Sequence, residues 1–281
     1  MMEWPDRLLS WFHAHKREMP WREDSTPYRV WISEAMLQQT QVATVIPYFE
    51  RFIDRFPDVY VLANADQQDV LKCWEGLGYY SRARNLQKAA KLIVSDYNGN
   101  LPSTYEGLQE LPGVGPYIAA AVASIAFNVA VPVVDGNVLR VFARFWGVFD
   151  DIRDVKVRNA FFERLSPVIT GRSPSDFNQA IMELGALVCK PKNPDCQTCP
   201  LTTDCYAFNQ LAVSQLPYKS PAKKVPHYDI AVGIIEKDGK ILIGKRKEDG
   251  MLGGLWEFPG GKHESGEDLV DTVKREVKEE T

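Results

Sequence analysis

The sequence predicts a mainly helical fold followed by an incomplete α/β region, and three observations carry that expectation. Apolar residues recur at helical spacing, with capping signals between them, through about residue 208. No convincing apolar–polar alternation appears before residue 229. Composition then changes: a Pro-, Lys- and Ser-rich stretch over 209–227 reads as a linker with local positive charge from Lys219, Lys223 and Lys224, and alternating residues follow it. At 281 residues the chain is too long for one small core, so two or three domains are expected. A net charge of −4 argues against wrapping nucleic acid in a broad basic surface, yet leaves room for local basic patches and amide contacts. No apolar run reaches transmembrane length, and the start MMEWPDRLLSWF lacks a signal-peptide layout, so a soluble cytoplasmic protein is the expectation.

Residues 3–18 form an amphipathic start with Trp4, Leu8, Leu9, Trp11 and Phe12 as core candidates, and Met19-Pro20-Trp21-Arg22 breaks it. Thr26 as N-cap and Pro27 at the first helical position signal the next helix, PYRVWISEAMLQQ, which is apolar on nearly every face. Glu34 lies one turn from Val30, Trp31 and Leu37, so it should project among apolar neighbours and hold its proton more tightly than an exposed carboxyl. The alternative is an exposed Glu on a helix turned differently. The polar run Gln38-Gln39-Thr40-Gln41 comes next, able to reach base edges or simply to cap a helix end. Further helices are expected from Val45 to Phe56, with Pro47 in the first turn, and from Asp66 to Trp74. Gly76-Leu77-Gly78-Tyr79-Tyr80 then precedes Ser81-Arg82-Ala83-Arg84 and a helix over Ala83–Tyr97. Aromatics on a glycine turn beside two arginines suit base stacking and phosphate contacts, or else core tyrosines with solvated arginines.

Leu111-Pro112-Gly113-Val114-Gly115 is a helix–hairpin–helix signature. Ser103 and Glu106 have capping-box spacing for a short helix over Thr104–Glu110. Gly113 and Gly115 allow positive φ and close backbone approach, and Pro116 suits the first position of the small-residue helix after it. The uncrowded N–H groups at that helix start suit a phosphate oxygen. Asp135 then stands alone before a helix over Asn137–Trp146, either as a chemical carboxylate or as an ordinary cap. Helices through Val155–Ile169 and Phe177–Val188 complete the helical part.

Four of the five cysteines fall in one loop, Cys189-x6-Cys196-x2-Cys199-x5-Cys205, interrupted by prolines. Four thiolates so placed can wrap one metal centre. Structural zinc usually takes two close pairs, whereas this spacing fits a loop around a larger body such as a cubane cluster; zinc stays the alternative. Cys73 is expected to be a buried core thiol. Beyond the linker, Asp229–Lys237 and Lys240–Lys245 signal a hairpin around Asp238-Gly239, then come the Gly-rich loop 250–261 and a charged helix over Glu267–Thr281, an end that looks cut rather than finished.

Met19-Pro20-Trp21-Arg22, SEAMLQQTQ over 33–41, Gly76-Leu77-Gly78-Tyr79-Tyr80, LPGVG, Val134-Asp135-Gly136-Asn137 and the cysteine loop occur together and in order. Together they closely resemble the MutY adenine DNA glycosylases of the helix–hairpin–helix superfamily, to which endonuclease III also belongs. That resemblance implies a two-lobed helical glycosylase over 1–208, one lobe over 25–130 and the other over 1–24 plus 131–208. It also implies a partial MutT-like (Nudix) domain over 228–281. It implies a monomer acting on double-stranded DNA that contains A:8-oxoguanine or A:G mispairs, with no membrane partner and a [4Fe-4S] cluster on Cys189, Cys196, Cys199 and Cys205. Glu34 is then the acid that protonates adenine at N7 and later handles water, and Asp135 the carboxylate that steadies the sugar cation. Tyr117 stands where bifunctional relatives carry a lysine, so a glycosylase without strong lyase activity is expected, with Tyr117 facing the sugar. Arg22, Gln38, Gln39, Tyr79, Gly113 and Gly115 are the expected DNA contacts. Gly261-x5-Glu267-x7-Arg275-Glu276-Val277-Lys278-Glu279-Glu280 satisfies the Nudix pattern as far as it runs. Glu276, Glu279 and Glu280 could therefore hold Mg²⁺ for 8-oxo-purine triphosphate hydrolysis, the alternative being a lesion-reading domain with a relic box. A non-enzymatic binder of damaged DNA is the competing class.

Overall fold

The computed structural model describes residues 2–221, 226–247, 250 and 252–280, the side chain of Glu280 excepted. Lys223, Lys224 and Met251, and the side chain of Glu280, lie outside the described residues. The chain divides into a helical unit, residues 1–78 with 82–220, and a small second unit, residues 79–81 with 221–281.

In the helical unit, α1 (Trp4–His15), α2 (Pro20–Glu23) and α3 (Pro27–Leu37) come first. Thr26 occupies the N-cap of α3 but makes no side-chain capping bond. Then come α4 (Val42–Arg55), α5 (Val59–Asn64), α6 (Gln67–Trp74), α7 (Ser81–Asp96) and α8 (Tyr105–Gln109). Helix α4 begins three residues before the expected start, so Pro47 sits inside it, and α5 has no counterpart in the sequence expectations. The N-cap of α8 is Thr104, whose hydroxyl accepts from the Gly107 N–H at 3.1 Å; Ser103 is one residue too early. The unit continues with α9 (Pro116–Phe127), α10 (Gly136–Trp146), α11 (Val155–Ile169), α12 (Pro174–Leu187), a 3₁₀ turn (Thr202–Asp204) and α13 (Tyr206–Asn209).

Two packing arrangements position the site. Helix α3, buried continuously from Val30 to Met36, lies against α9, whose residues Ile118 to Ser124 are all buried and mostly alanine. Short side chains on α9 let its neighbours approach closely. Helix α12 packs on α1, α9 and α10, and one apolar core joins Leu8 and Phe12 to Phe142, Phe161, Phe177 and Leu184. Buried Asn178 on α12 accepts from the Val133 N–H at 3.0 Å and donates to the Val131 carbonyl and Ser124 hydroxyl, each at 2.8 Å. These bonds satisfy backbone groups of a buried segment that has no sheet partner among the described residues and leads into α10.

Residues 210–220 are part of the helical unit rather than free linker. Leu216 is 2% exposed and its carbonyl accepts from Arg144 at 2.8 Å, while the Ile152 N–H donates to the Tyr218 carbonyl. The second unit holds three antiparallel pairs: β1 (Ile230–Val232) with β6 (Gly260–Lys262), β2 (Glu236–Lys237) with β3 (Lys240–Ile241), and β4 (Gly244–Lys245) with β5 (Trp256–Glu257). Asp238 (φ +53°) and Gly239 (φ +70°) form the turn with both central residues left-handed that an Asp-Gly hairpin favours. Helix α14 (Leu269–Glu280) packs on β1 and β6.

The hairpin between α8 and α9 turns on Gly113 alone, at φ +78°, whereas Gly115 lies at φ −84°. A Cβ on Gly113 would stand 2.6 Å from the Asn85 Cβ, and one on Gly115 would meet nothing within 4 Å. Gly113→Ala should therefore cost about 2–4 kcal/mol, from left-handed strain plus overpacking, while Gly115→Ala should stay within about 1 kcal/mol. Urea unfolding of both variants checks this, and equal losses would contradict it.

Candidate active site

Glu34 sits in the last two turns of α3 and is 4% exposed. Its Oε2 accepts from the Tyr117 hydroxyl at 2.5 Å, so the first turn of α9 supplies the partner for a carboxyl on the facing helix. Burial pushes the Glu34 pKa up to about 7; the Tyr117 bond opposes that rise, the charge of Asp135 adds to it and that of Arg22 opposes it. Tyr117 is raised well above its ordinary value by burial and by the neighbouring carboxyls, so it stays a hydroxyl and donates. The tyrosine expected to face a sugar thus spends its hydroxyl on Glu34.

Asp135 is both of the things the sequence leaves open. It caps α10, its Oδ1 accepting from the Val138 N–H at 2.7 Å, and its Oδ2 accepts from Asn137 Nδ2 at 2.8 Å. It also lines one cleft of about 750 Å³ together with Glu34 and Tyr117. Burial raises its pKa, while the Val138 and Asn137 donors and Arg140 favour the charged form. The two carboxyls therefore stand in unlike surroundings, one held by a phenol in an apolar helix contact and the other by backbone amides at a helix start.

Sequence reasoning misses a second group in the same cleft. Glu183 on α12 is 2% exposed. It accepts from Arg17 at Nε (2.8 Å), Nη2 (2.9 Å) and the backbone N–H (3.0 Å), and from Arg22 Nη2 (3.1 Å). Burial alone would raise its pKa, but the bonds from the two arginines outweigh that and hold it at about 2. Arg22 also donates to Gln179 Oε1 at 2.8 Å and to the Arg17 carbonyl at 2.9 Å. Arg22, an expected DNA contact, is thus held inside the cleft by an ion pair. The available signal is the spacing of Gln179 and Glu183, at i and i+4 on one face of α12.

The other expected contacts lie outside this cleft. Gln38 is the C-cap of α3, and Gln39 is exposed at φ +59°. Tyr79 is 60% exposed at φ +49°. Gly115 is the exposed N-cap of α9, and the first N–H groups of that helix have no acceptor within it. Arg82 and Arg84, expected beside phosphate, turn inward: Arg82 donates to backbone carbonyls and Arg84 is 8% exposed.

Cys189, Cys196, Cys199 and Cys205 line one cavity of about 20 Å³ with Val141, Arg144, Phe145 and Leu184. Buried arginines tie this loop to α10. Arg140 Nε donates to the Cys189 carbonyl at 2.7 Å, and Arg144 Nη1 to the Lys190 carbonyl at 2.8 Å and to Cys189 Sγ at 3.3 Å. Burial pushes the Cys199 thiol up to about 11 and raises Cys196 and Cys205, with mutual repulsion adding to it, so a positive centre is needed to hold these groups as thiolates. Among the described residues no three acids, thiols or imidazoles converge as a single-ion site would require. The four cysteines line one mostly apolar cavity, which leaves the choice between a cluster and a single ion to the proposal below. Cys73 is half-buried rather than fully buried.

In the second unit Arg275 donates to Glu267 Oε1 at 2.8 Å and to Glu276 Oε1 at 2.8 Å, and lies 3.7 Å from Glu279 Oε1. The Glu276 carboxylate lies so close to Gly261 that a Cβ there would stand 2.1 Å from it. The acids expected to hold Mg²⁺ are thus engaged by Arg275, and Glu280 contributes no described side chain.

Residues 32–167 match the family model described as HhH-GPD superfamily base excision DNA repair protein, and residues 230–281 match a NUDIX domain. An adenine DNA glycosylase of Mus musculus is 38% identical over 304 residues, covering 90% of this chain and 59% of that protein. The one from Homo sapiens is 37% identical, covering 93% and 58%. The one from Buchnera aphidicola subsp. Schizaphis graminum is 36% identical over 253 residues, covering 90% and 73%. The chain spans 59%, 46% and 58% of the mouse, Arabidopsis thaliana and human relatives. Among solved structures, a thermostable thymine-DNA glycosylase superimposes with a TM-score of 0.66 at 26% identity, covering 73% of this chain and 95% of that one. A non-covalent endonuclease III–DNA complex gives 0.64 at 25%, covering 75% and 99%. With more than a third of its residues shared across nine-tenths of its length with a relative it spans by nearly three-quarters, the chain belongs to the adenine DNA glycosylases of the HhH-GPD superfamily, with a NUDIX-type region over 230–281.

Proposed function

We propose that the chain is a monofunctional adenine DNA glycosylase of base excision repair, hydrolysing the N-glycosidic bond of adenine mispaired with 8-oxoguanine or guanine in double-stranded DNA. The observation that carries this is a buried Glu34 that keeps a proton to near-neutral pH, in a cleft that also holds Asp135. A protein that only binds DNA needs neither acid there.

Because Tyr117 donates to Oε2, the acid proton of Glu34 resides on Oε1. The target nucleotide is flipped out, and Oε1–H passes its proton to adenine N7. The C1′–N9 bond breaks with its electron pair leaving on the base, and positive charge spreads over C1′ and the ring oxygen beside the Asp135 carboxylate. Water adds to C1′ and returns its proton to Glu34, leaving free adenine and an abasic site. Tyr117 has no amine, so no imine with the sugar forms and the strand is not cleaved by that route. Gln38, Gln39 and Tyr79 act at the duplex, and the amides at Gly113 and Gly115 take backbone phosphate.

Cys189, Cys196, Cys199 and Cys205 would hold a [4Fe-4S] cluster, which would cross-link the loop through its bonds to sulfur. Lys190 and Lys192 on that loop face phosphate. In the second unit the proposed role is lesion reading rather than triphosphate hydrolysis.

Glu34→Gln should keep DNA affinity within a few-fold and lower single-turnover adenine release from an A:8-oxoguanine duplex by at least about 100-fold. Wild-type release should fall as pH rises through about 7, because the acid form of Glu34 is the reactant. Unchanged release in the variant would remove Glu34 from this role. The same group makes a stability prediction. Its folded pKa is raised from 4.5 to about 7, so its stabilising effect is complete below pH 4.5 and is lost as pH rises through 7. Wild-type stability should drop by up to about 3 kcal/mol more than that of Glu34→Gln between pH 5 and 8, in parallel urea titrations. Iron and acid-labile sulfide should each be found at about four per chain, and stoichiometric zinc would reject the cluster. Incubation of the chain with Mg²⁺ and 8-oxo-dGTP should release no monophosphate, and turnover would establish the second activity.

A further inference from the structure

Arg82, at the start of α7, places its guanidinium among the carbonyls of two separate loops. Nη1 donates to the carbonyls of Ala35 (2.9 Å), Met36 (2.9 Å) and Gln38 (2.8 Å). Nη2 donates to those of Leu77 (3.3 Å) and Gly78 (3.2 Å). The first group closes the C-terminal end of α3, the helix that carries Glu34, where carbonyls lack helical donors and the helix dipole favours a cation. The second belongs to the glycine turn, whose Gly78 carbonyl also accepts from Trp74 Nε1 at 3.1 Å, under the same guanidinium.

Each of the two bonded stretches ends at a residue whose successor has left-handed backbone. Gln39 comes directly after Gln38 at φ +59°, and Tyr79 directly after Gly78 at φ +49°. Left-handed backbone costs a residue with a side chain on the order of 1 kcal/mol, and such conformations persist where the surroundings over-determine them. A peptide unit is planar, so a carbonyl fixed by hydrogen bonding also fixes the N–H of the next residue and the plane from which its φ is turned. One guanidinium therefore fixes the peptide planes entering both residues. A planar fork can reach both loops at once; an ammonium is a single point.

We infer that Arg82 is a positioning residue for adenine extrusion: it holds the 38–41 loop and the 76–78 turn in one register with the end of the Glu34 helix. This rests on the adenine excision proposed above. It predicts a defect confined to substrates whose adenine must be pulled out of a base pair. Arg82→Lys and Arg82→Gln are compared with wild type in single-turnover release from two duplexes, adenine opposite 8-oxoguanine and adenine opposite an abasic site, which offers no pairing to break. The variants should lose about tenfold or more on the first duplex, as displaced working groups do, and stay within about twofold of wild type on the second, with the pH midpoint of release unchanged. A deficit equal on both duplexes, or no deficit on the first, overturns this role alone. Wild-type protein that releases no adenine from either duplex overturns the parent proposal and this one with it. Variants that both unfold at 25 °C would make Arg82 a plain structural support and overturn the positioning role.

Discussion

The site depends on one contact between two helices, the hydrogen bond from Tyr117 to the buried carboxyl of Glu34. A carboxyl removed from water is driven toward its neutral form, and a phenol donating to it restores part of the stability of the charged form. The balance leaves a group poised near neutrality, which a general acid needs if it is to give a proton in one step and take one back in the next. Neither residue achieves this alone. The apolar run of α3 supplies the burial, and the alanines of α9 supply the close approach that brings the phenol within reach.

The second carboxyl reaches the cleft by a different route. Asp135 ends an extended segment that is pinned by the side chain of Asn178, and it then caps α10. Its position is therefore set by α12 and α10 rather than by the helix pair that holds Glu34. The same α12 carries Glu183, whose two arginines place fixed positive charge at the side of the cleft. Two carboxyls held by different parts of the fold can differ in how tightly they hold a proton, as cleavage of a glycosidic bond by one acid and one carboxylate requires.

Much of this is legible in the chain, for local reasons. Pro27 and Pro116 mark helix starts, the Val30, Trp31 and Leu37 spacing around Glu34 signals burial, and LPGVG marks the hairpin. The features that are not legible depend on tertiary partners. The Tyr117–Glu34 bond spans 83 residues of sequence separation, and no periodicity reports it. The spacing of Gln179 and Glu183 marks a polar face of α12, but the arginine partners lie 166 and 161 residues away and leave no mark there. Arg82 and Arg84 read as phosphate contacts or else as solvated arginines, yet both turn inward, and Arg82 does so because a guanidinium can satisfy backbone carbonyls as well as phosphate. Residues 210–220 have linker composition but are fixed by carbonyl bonds to Arg144 and Ile152. The Ser103 and Thr104 choice shows the same limit at short range, where adjacent hydroxyls compete for one cap.

The most direct test is to titrate the Glu34 carboxyl itself, by carbon-13 NMR of glutamate-labelled full chain with Glu34→Gln as the assignment control. A midpoint of about 7 is predicted, and Tyr117→Phe should move it upward, because it removes the donor that favours the ionised form. A midpoint near the ordinary carboxyl value of 4.5, or no response to Tyr117→Phe, would contradict the claim that this buried contact sets the acid.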